Sequence, residues 1–362
     1  MIFNKNMKNV LDTYEKWWAG ELNRPLIPIV ISGLEPDREP PKNYTEGLGI
    51  NQKSFGNINI SPEEFIDAAD YEFSHMEFIG DAYPMLDCTF SGPGIVAAFL
   101  GAKLNVETGN IWFYTDKRLP IEELHFDYIE DNFWLNRIKA IMTEGKRRWG
   151  DRVIIGLPDL GGVVDILATF RGSENLLMDL YDSPDEVIRA VNEIKLLWHR
   201  YYDELRNYTT PGLYTDWSRI LSSKRSYMMQ CDFSYMLGKD MYIKFIHDEL
   251  VDTCKFLDRG CYHLDGVGQI PFLDDMLKIN GMDLIQWVPG SGPYENLDWF
   301  DLFCKVLDAG KHLQIMFDSD YKGFDSVISH YGSGKKIIRG LRYYDVSERD
   351  HALSILSKYG IK

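Results

Sequence analysis

The middle of the chain alternates between short apolar runs that finish in polar groups and longer stretches with a helical repeat. From Arg225 it reads RSYMMQCDF, then an amphipathic segment from Lys239 to Leu257, then CYHLDGVG. A second amphipathic segment, Pro271 to Ile279, leads into DLIQWVPGSG. Apolar residues alternating at every second position mark strands, and those repeating every three to four mark helices. Strand, polar tip and helix in succession make the repeating unit of a parallel α/β fold.

The same alternation predicts strands starting near Leu26, Tyr83, Val153, Tyr227, Cys261, Leu284, His312 and Lys335. Eight strands separated by helices predict a single (β/α)8 TIM barrel, whose strand tips converge on one face. An N-terminal extension precedes it. Asn9 to Leu22 reads as a helix with Val10, Leu11, Tyr14, Trp17 and Trp18 on one side. Gly33 to Asn59, rich in proline and glycine, reads as a long loop or a cap over the barrel mouth. Ser61-Pro62-Glu63-Glu64 starts a helix, with serine as cap, proline in the first turn and acids near the dipole's positive end. No linker or composition shift divides residues 1–362, so one domain is expected.

Charge then narrows the partners. Lys and Arg number 39 against 55 Asp and Glu, a formal net charge of −16. That balance argues against nucleic acid, which needs a basic stripe. No apolar run reaches the ~18 residues of a membrane span, and MIFNKNMKNVLDTYEKWW lacks a secretion pattern. The cysteines Cys88, Cys231, Cys254, Cys261 and Cys304 form no CxxC pair. A reduced, cytoplasmic enzyme acting on a small molecule is the expectation.

The candidate site residues all stand at strand tips. His263 and Asp265 are two positions apart on one strand and therefore share a face. They are candidates for an acid/base pair or for metal ligands, although spacing reveals no third ligand; Cys261, on the same face, is either a soft ligand or core. Gln230 and Asp232 share a face by the same argument, with a helix cap as the alternative role for Asp232. Of Gln286 and Trp287, one faces the cleft and the other the helices. Tyr214, Asp216 and Trp217 close the strand-like GLYTDW, and Asp159, Asp318 and Arg342 are further tip residues. The reading assigns catalysis to Asp232, His263 and Asp265, metal binding to His263 and Asp265, and substrate contacts to Tyr214, Asp216, Gln230, Gln286 and Trp287.

These blocks, in this order, resemble the uroporphyrinogen decarboxylase superfamily, which includes the corrinoid-dependent methyltransferases. The resemblance rests on LGGVVDILATFRGSENLLMDLYDSPDEVIRAV (Leu160 to Val191), QCDFSYML, CYHLDGVG and the closing strand and helix. The YEKWWAGELNRPLIPI opening, with HLDG and IQWVPGSG, looks most like a bacterial branch labelled corrinoid methyltransferase-like. The resemblance implies a TIM barrel, often a homodimer, and methyl transfer with a corrinoid supplied by a partner protein. It also implies zinc, or another divalent metal, at the His-x-Cys position. Here that position is His263-Leu264-Asp265, and the last strand, IIRGLRYYDVSERD, has no cysteine. Zinc accepts carboxylate oxygen, but thiolates suit activation of a substrate thiol better. The arginine-rich segment of the porphyrin decarboxylases is replaced by ISGLEPDREP, where acids flank Arg38. The alternatives are decarboxylation of a small acid and a non-catalytic barrel that binds a small molecule.

Overall fold

The computed structural model describes residues 7–42, 44, 49–106, 109–290, 298–316 and 321–361. Among the described residues, twelve strands appear in chain order: β1 Pro28–Ser32, β2 Glu77–Gly80, β3 Met85–Leu86, β4 Lys103–Asn105, β5 Trp112–Tyr114 and β6 Ile154–Ile155, followed by β7 Ser226–Met229, β8 Arg259–Asp265, β9 Met282–Val288, β10 His312–Ile315, β11 Ile337–Arg339 and β12 Arg342–Asp345. Each of the segments expected to be a strand contains one. The centre of the molecule is a five-stranded parallel sheet in the order β11-β10-β9-β8-β7.

The ladder is interrupted beyond that sheet. β3 pairs in parallel only with β6, and β1 pairs with β12 and with the antiparallel β2. Leu26 bridges to Ile338 and so joins the segment leading into β1 to β11. Pro84 and Pro158 flank the short pair, and proline has no N–H to extend a ladder. Between β6 and β7 a side chain takes over. Leu157 N–H donates to the Thr215 carbonyl at 2.9 Å, and Met228 N–H donates to the Asp216 carboxylate at 2.7 Å. A mixed α/β fold with a parallel sheet therefore stands, without a continuous eight-strand ladder among the described residues.

Helices cover the sheet for reasons written in the sequence. Helix Pro62–Phe73 opens with the expected capping box between Ser61 and Glu64. Helix Pro184–Arg206 buries Val187, Ala190, Val191, Ile194, Trp198, Tyr201, Tyr202 and Leu205, one stripe at helical spacing. The described part of the 33–59 segment lies against helix Pro62–Phe73. Ile50 N–H donates to Glu72 at 3.0 Å and Arg38 pairs with Asp70. It is anchored on that helix and also on helix Phe133–Trp149, whose Arg137 donates to the Phe55 and Asn57 carbonyls at 2.8 and 3.0 Å.

The N-terminal helix Met7–Trp18 plugs the end of the sheet where the strands begin. Trp17 Nε1 donates to the Ile337 carbonyl at 3.1 Å, Trp18 Nε1 to Leu221 at 3.0 Å, and the Tyr14 hydroxyl to Asp81 at 3.2 Å. Among the described residues, no helix is long and apolar enough to cross a membrane.

Candidate functional site

The opposite end, where the strands finish, carries the polar tips. β7 is followed by Gln230, Cys231 and a 3-10 turn from Asp232 to Met236. β8 ends in His263, Leu264 and Asp265. The chain then turns at Gly266 with φ of 78°, where an added Cβ would lie 2.9 Å from the Tyr235 ring; only glycine fits. Gln269 ties the two tips together, its side chain accepting from Asp265 N–H at 3.2 Å and donating to the Cys231 carbonyl at 3.0 Å.

Asp232, His263 and Asp265 converge. One ligand-type atom from each lies within 4.8 Å of the other two, with His263 and Asp265 half-buried and Asp232 open to solvent. His263 Nε2 stands 3.9 Å from Asp265 Oδ2, too far for a hydrogen bond. The group borders a cleft of about 320 Å³ lined by Asp232, Tyr235, Asp265, Gly266, Gln269, Pro289 and Gly290. A second cavity, of about 160 Å³, lies on the other side of Asp232, between Gly94 and Gly161, Asp165, Gln230, and Trp112 and Phe113 of the β4–β5 hairpin.

Burial sets the electrostatics. Asp232 meets solvent at the cleft yet stands among dense protein, which raises its carboxyl above the ordinary range; His263 opposes the rise and Asp265 adds to it. Asp165 is pushed up to about 7 by burial and by Asp232, against the N–H bonds it accepts from Phe233 at 2.7 Å and Asp232 at 3.0 Å. Asp159 is likewise raised to about 7, chiefly by burial. Carboxyls crowded like this favour a proton or a cation among them.

The donor set is one imidazole nitrogen and carboxylate oxygens from two residues, which fits zinc or a harder divalent cation. Ligand atoms around a four-coordinate zinc sit roughly 3.3 Å apart, given bonds of about 2.0–2.1 Å. The three side chains would close by small rotations.

The other expected residues fall elsewhere. Gln230 lines the smaller cavity and donates weakly to Asp159 at 3.4 Å. Gln286 is fully buried, reaches His263 Nδ1 and lines neither cavity. Trp287 points the other way, buried in the core with its ring 4.8 Å from Trp299, and lines neither cavity. Asp216 is buried and committed to the N–H groups of Ser218 and Met228. Tyr214 lies under the Arg206 guanidinium, 3.8 Å from its ring centre. Neither lines the two cavities: Asp216 bridges the broken ladder, and Tyr214 pairs with Ser222. Cys261 belongs to the core. Asp318 and the SGP part of the glycine loop, residues 291–293, lie outside the described residues.

Sequence reasoning missed Gln314, Gln269 and Asp165, which support the three central groups. Trp217, one of the tip residues singled out from the sequence, stands with its ring edge-on to His263 at 5.2 Å. For Gln314 a signal existed: it is the lone amide in the apolar run HLQIM.

No protein-family model matches the chain, and no curated protein matches it. Among solved structures it is similar to a methyltransferase from Methanosarcina mazei, with a TM-score of 0.54. That match covers 92% of this chain and 93% of the other, at 11% identity, so the likeness speaks for the fold.

Proposed function

We propose that the chain is a methyl-transfer enzyme whose parallel strands close into a (β/α)8 barrel and whose centre is Asp232, His263 and Asp265 around a divalent metal. One observation carries this reading: three ligand-type side chains, from the tips of two adjacent strands, meet within 4.8 Å at the edge of an open cleft. The fold likeness to a methyltransferase supports the reaction class. A bound metal would act as a Lewis acid, making a substrate O–H or similar group easier to deprotonate. Asp232 and Asp265 would balance its charge and hold it on the cleft floor, while Tyr235 and Gln269 shape the walls. A corrinoid is too large for a cleft of about 320 Å³, so it would stay on its carrier protein at the mouth. Among the described residues the lining offers carboxylates and no Arg or Lys, which disfavours an acid substrate and hence decarboxylation.

The test is elemental analysis of protein equilibrated with Zn²⁺ or Co²⁺ and dialysed, followed by methylcobalamin absorbance with a panel of oxygen, nitrogen and sulfur acceptors. One retained metal per chain and metal-dependent demethylation are expected. Protein that retains no metal, or that releases CO₂ from a small acid without one, overturns the reading. Ligand binding without any turnover would assign the chain to the non-catalytic class.

A further inference from the structure

His263, Gln286 and Gln314 stand level on three neighbouring strands. His263 is in register with Gln286 across β8 and β9, and Gln286 with Gln314 across β9 and β10. In-register residues on adjacent strands point to the same face. The two amides are 0% and 1% exposed, so water cannot satisfy them and each must find its partner within the row.

The row has one end that cannot be reversed. The Ser218 carbonyl only accepts, and Gln314 Nε2 donates to it at 3.0 Å. Gln314 therefore turns its oxygen toward Gln286, whose Nε2 donates to it at 2.6 Å. Gln286 is left with its own oxygen facing His263 Nδ1. Flipping either amide would set two oxygens, or two NH₂ groups, against each other in a buried site, which is costly.

We infer that Gln314 and Gln286 are positioning residues that fix the His263 tautomer, placing the proton on Nδ1 and the free lone pair on Nε2. That lone pair lies on the side of Asp265, 3.9 Å from its Oδ2, and within the Asp232–His263–Asp265 group. A metal ligand needs this form, with its other ring nitrogen held by a hydrogen bond. Gln314 touches neither the cleft nor His263, yet its orientation is transmitted through one amide. The consequence for metal binding rests on the function proposed above; the tautomer itself does not.

The test begins with long-range ¹H–¹⁵N correlation spectra of the metal-free wild-type protein with the ring neutral. They should show a protonated Nδ1 and an unprotonated Nε2 at His263. A protonated Nε2 overturns the inference, with no variant needed. Gln314→Met removes the anchor and frees Gln286 to turn, so the spectra should show mixed tautomers, and Zn²⁺ affinity should fall ~10–100-fold. Adding Gln286→Glu to that variant restores an acceptor that cannot flip, and should recover the Nδ1–H form and zinc affinity. Unchanged tautomer populations in Gln314→Met sink the proposal. Failure of the wild type to bind zinc counts against the metal reading alone, because the spectra decide the tautomer independently.

Discussion

Two histidines at opposite ends of the same parallel sheet show how position decides chemistry. His312 is the first residue of β10, at the end where the strands begin, and His263 stands near the end of β8, where they finish. His312 is nearly buried, with Trp17 and Trp18 rings 4.5 and 4.8 Å away. Its ring nitrogens face the Asp283 and Trp17 carbonyls at 3.3 and 3.2 Å. Burial lowers its pKa from 6.5 to about 4, so it stays neutral and closed off. His263 has one nitrogen held by an amide and the other turned toward carboxylates beside a cleft. The beginning of the sheet is sealed by the N-terminal helix, and the end is left open. The first is built for cohesion, the second for a ligand.

The largest test of that contrast is at the open end. Asp232→Asn and His263→Ala should each lower metal-dependent turnover by ~10²–10⁴-fold, with the thermal midpoint little moved. Equal losses of stability and turnover would mean that the tips are structural. At the sealed end the signature reverses. Trp17→Ala removes a fully buried ring and the bond to Ile337, and should cost ~3–5 kcal/mol in denaturant unfolding, with metal stoichiometry of the folded protein intact. Loss of metal in that variant would erase the distinction between the ends.

The smallest effect is in pH. A histidine with a depressed folded pKa binds fewer protons folded than unfolded, so its contribution is complete above about 6.5 and is lost as pH falls toward 4. The loss amounts to about 3 kcal/mol at 1.36 kcal/mol per unit. Unfolding curves of wild type and His312→Gln should therefore converge between pH 6.5 and 4. Parallel pH profiles would show that His312 is not held neutral.

Much of the open end was legible in the sequence. Period-two spacing put His263 and Asp265 on one face, and the repeated strand-tip pattern nominated Asp232 to join them. The choice between Gln286 and Trp287 was not legible, because one residue of register decides which side faces in. Register with His263 settles it. The tip pattern nominates Asp216 without showing that its carboxylate mends the gap between β6 and β7. Gln314 stood out as the lone amide in HLQIM, but tying it to the site required its register with Gln286 across β9 and β10, which no local signal encodes. The eight strand segments could be read locally, while how far they zip together could not, as the two-residue β3–β6 pair shows.

Asp232 is also a shared wall: its carboxyl borders both the larger cleft and the smaller chamber beneath the β4–β5 hairpin. An occupant of either chamber that drew on that carboxyl would change what the other can offer. By thermodynamic reciprocity, whatever factor one guest imposes on the second is returned in equal measure. Guests in the two compartments would be coupled through this single aspartate.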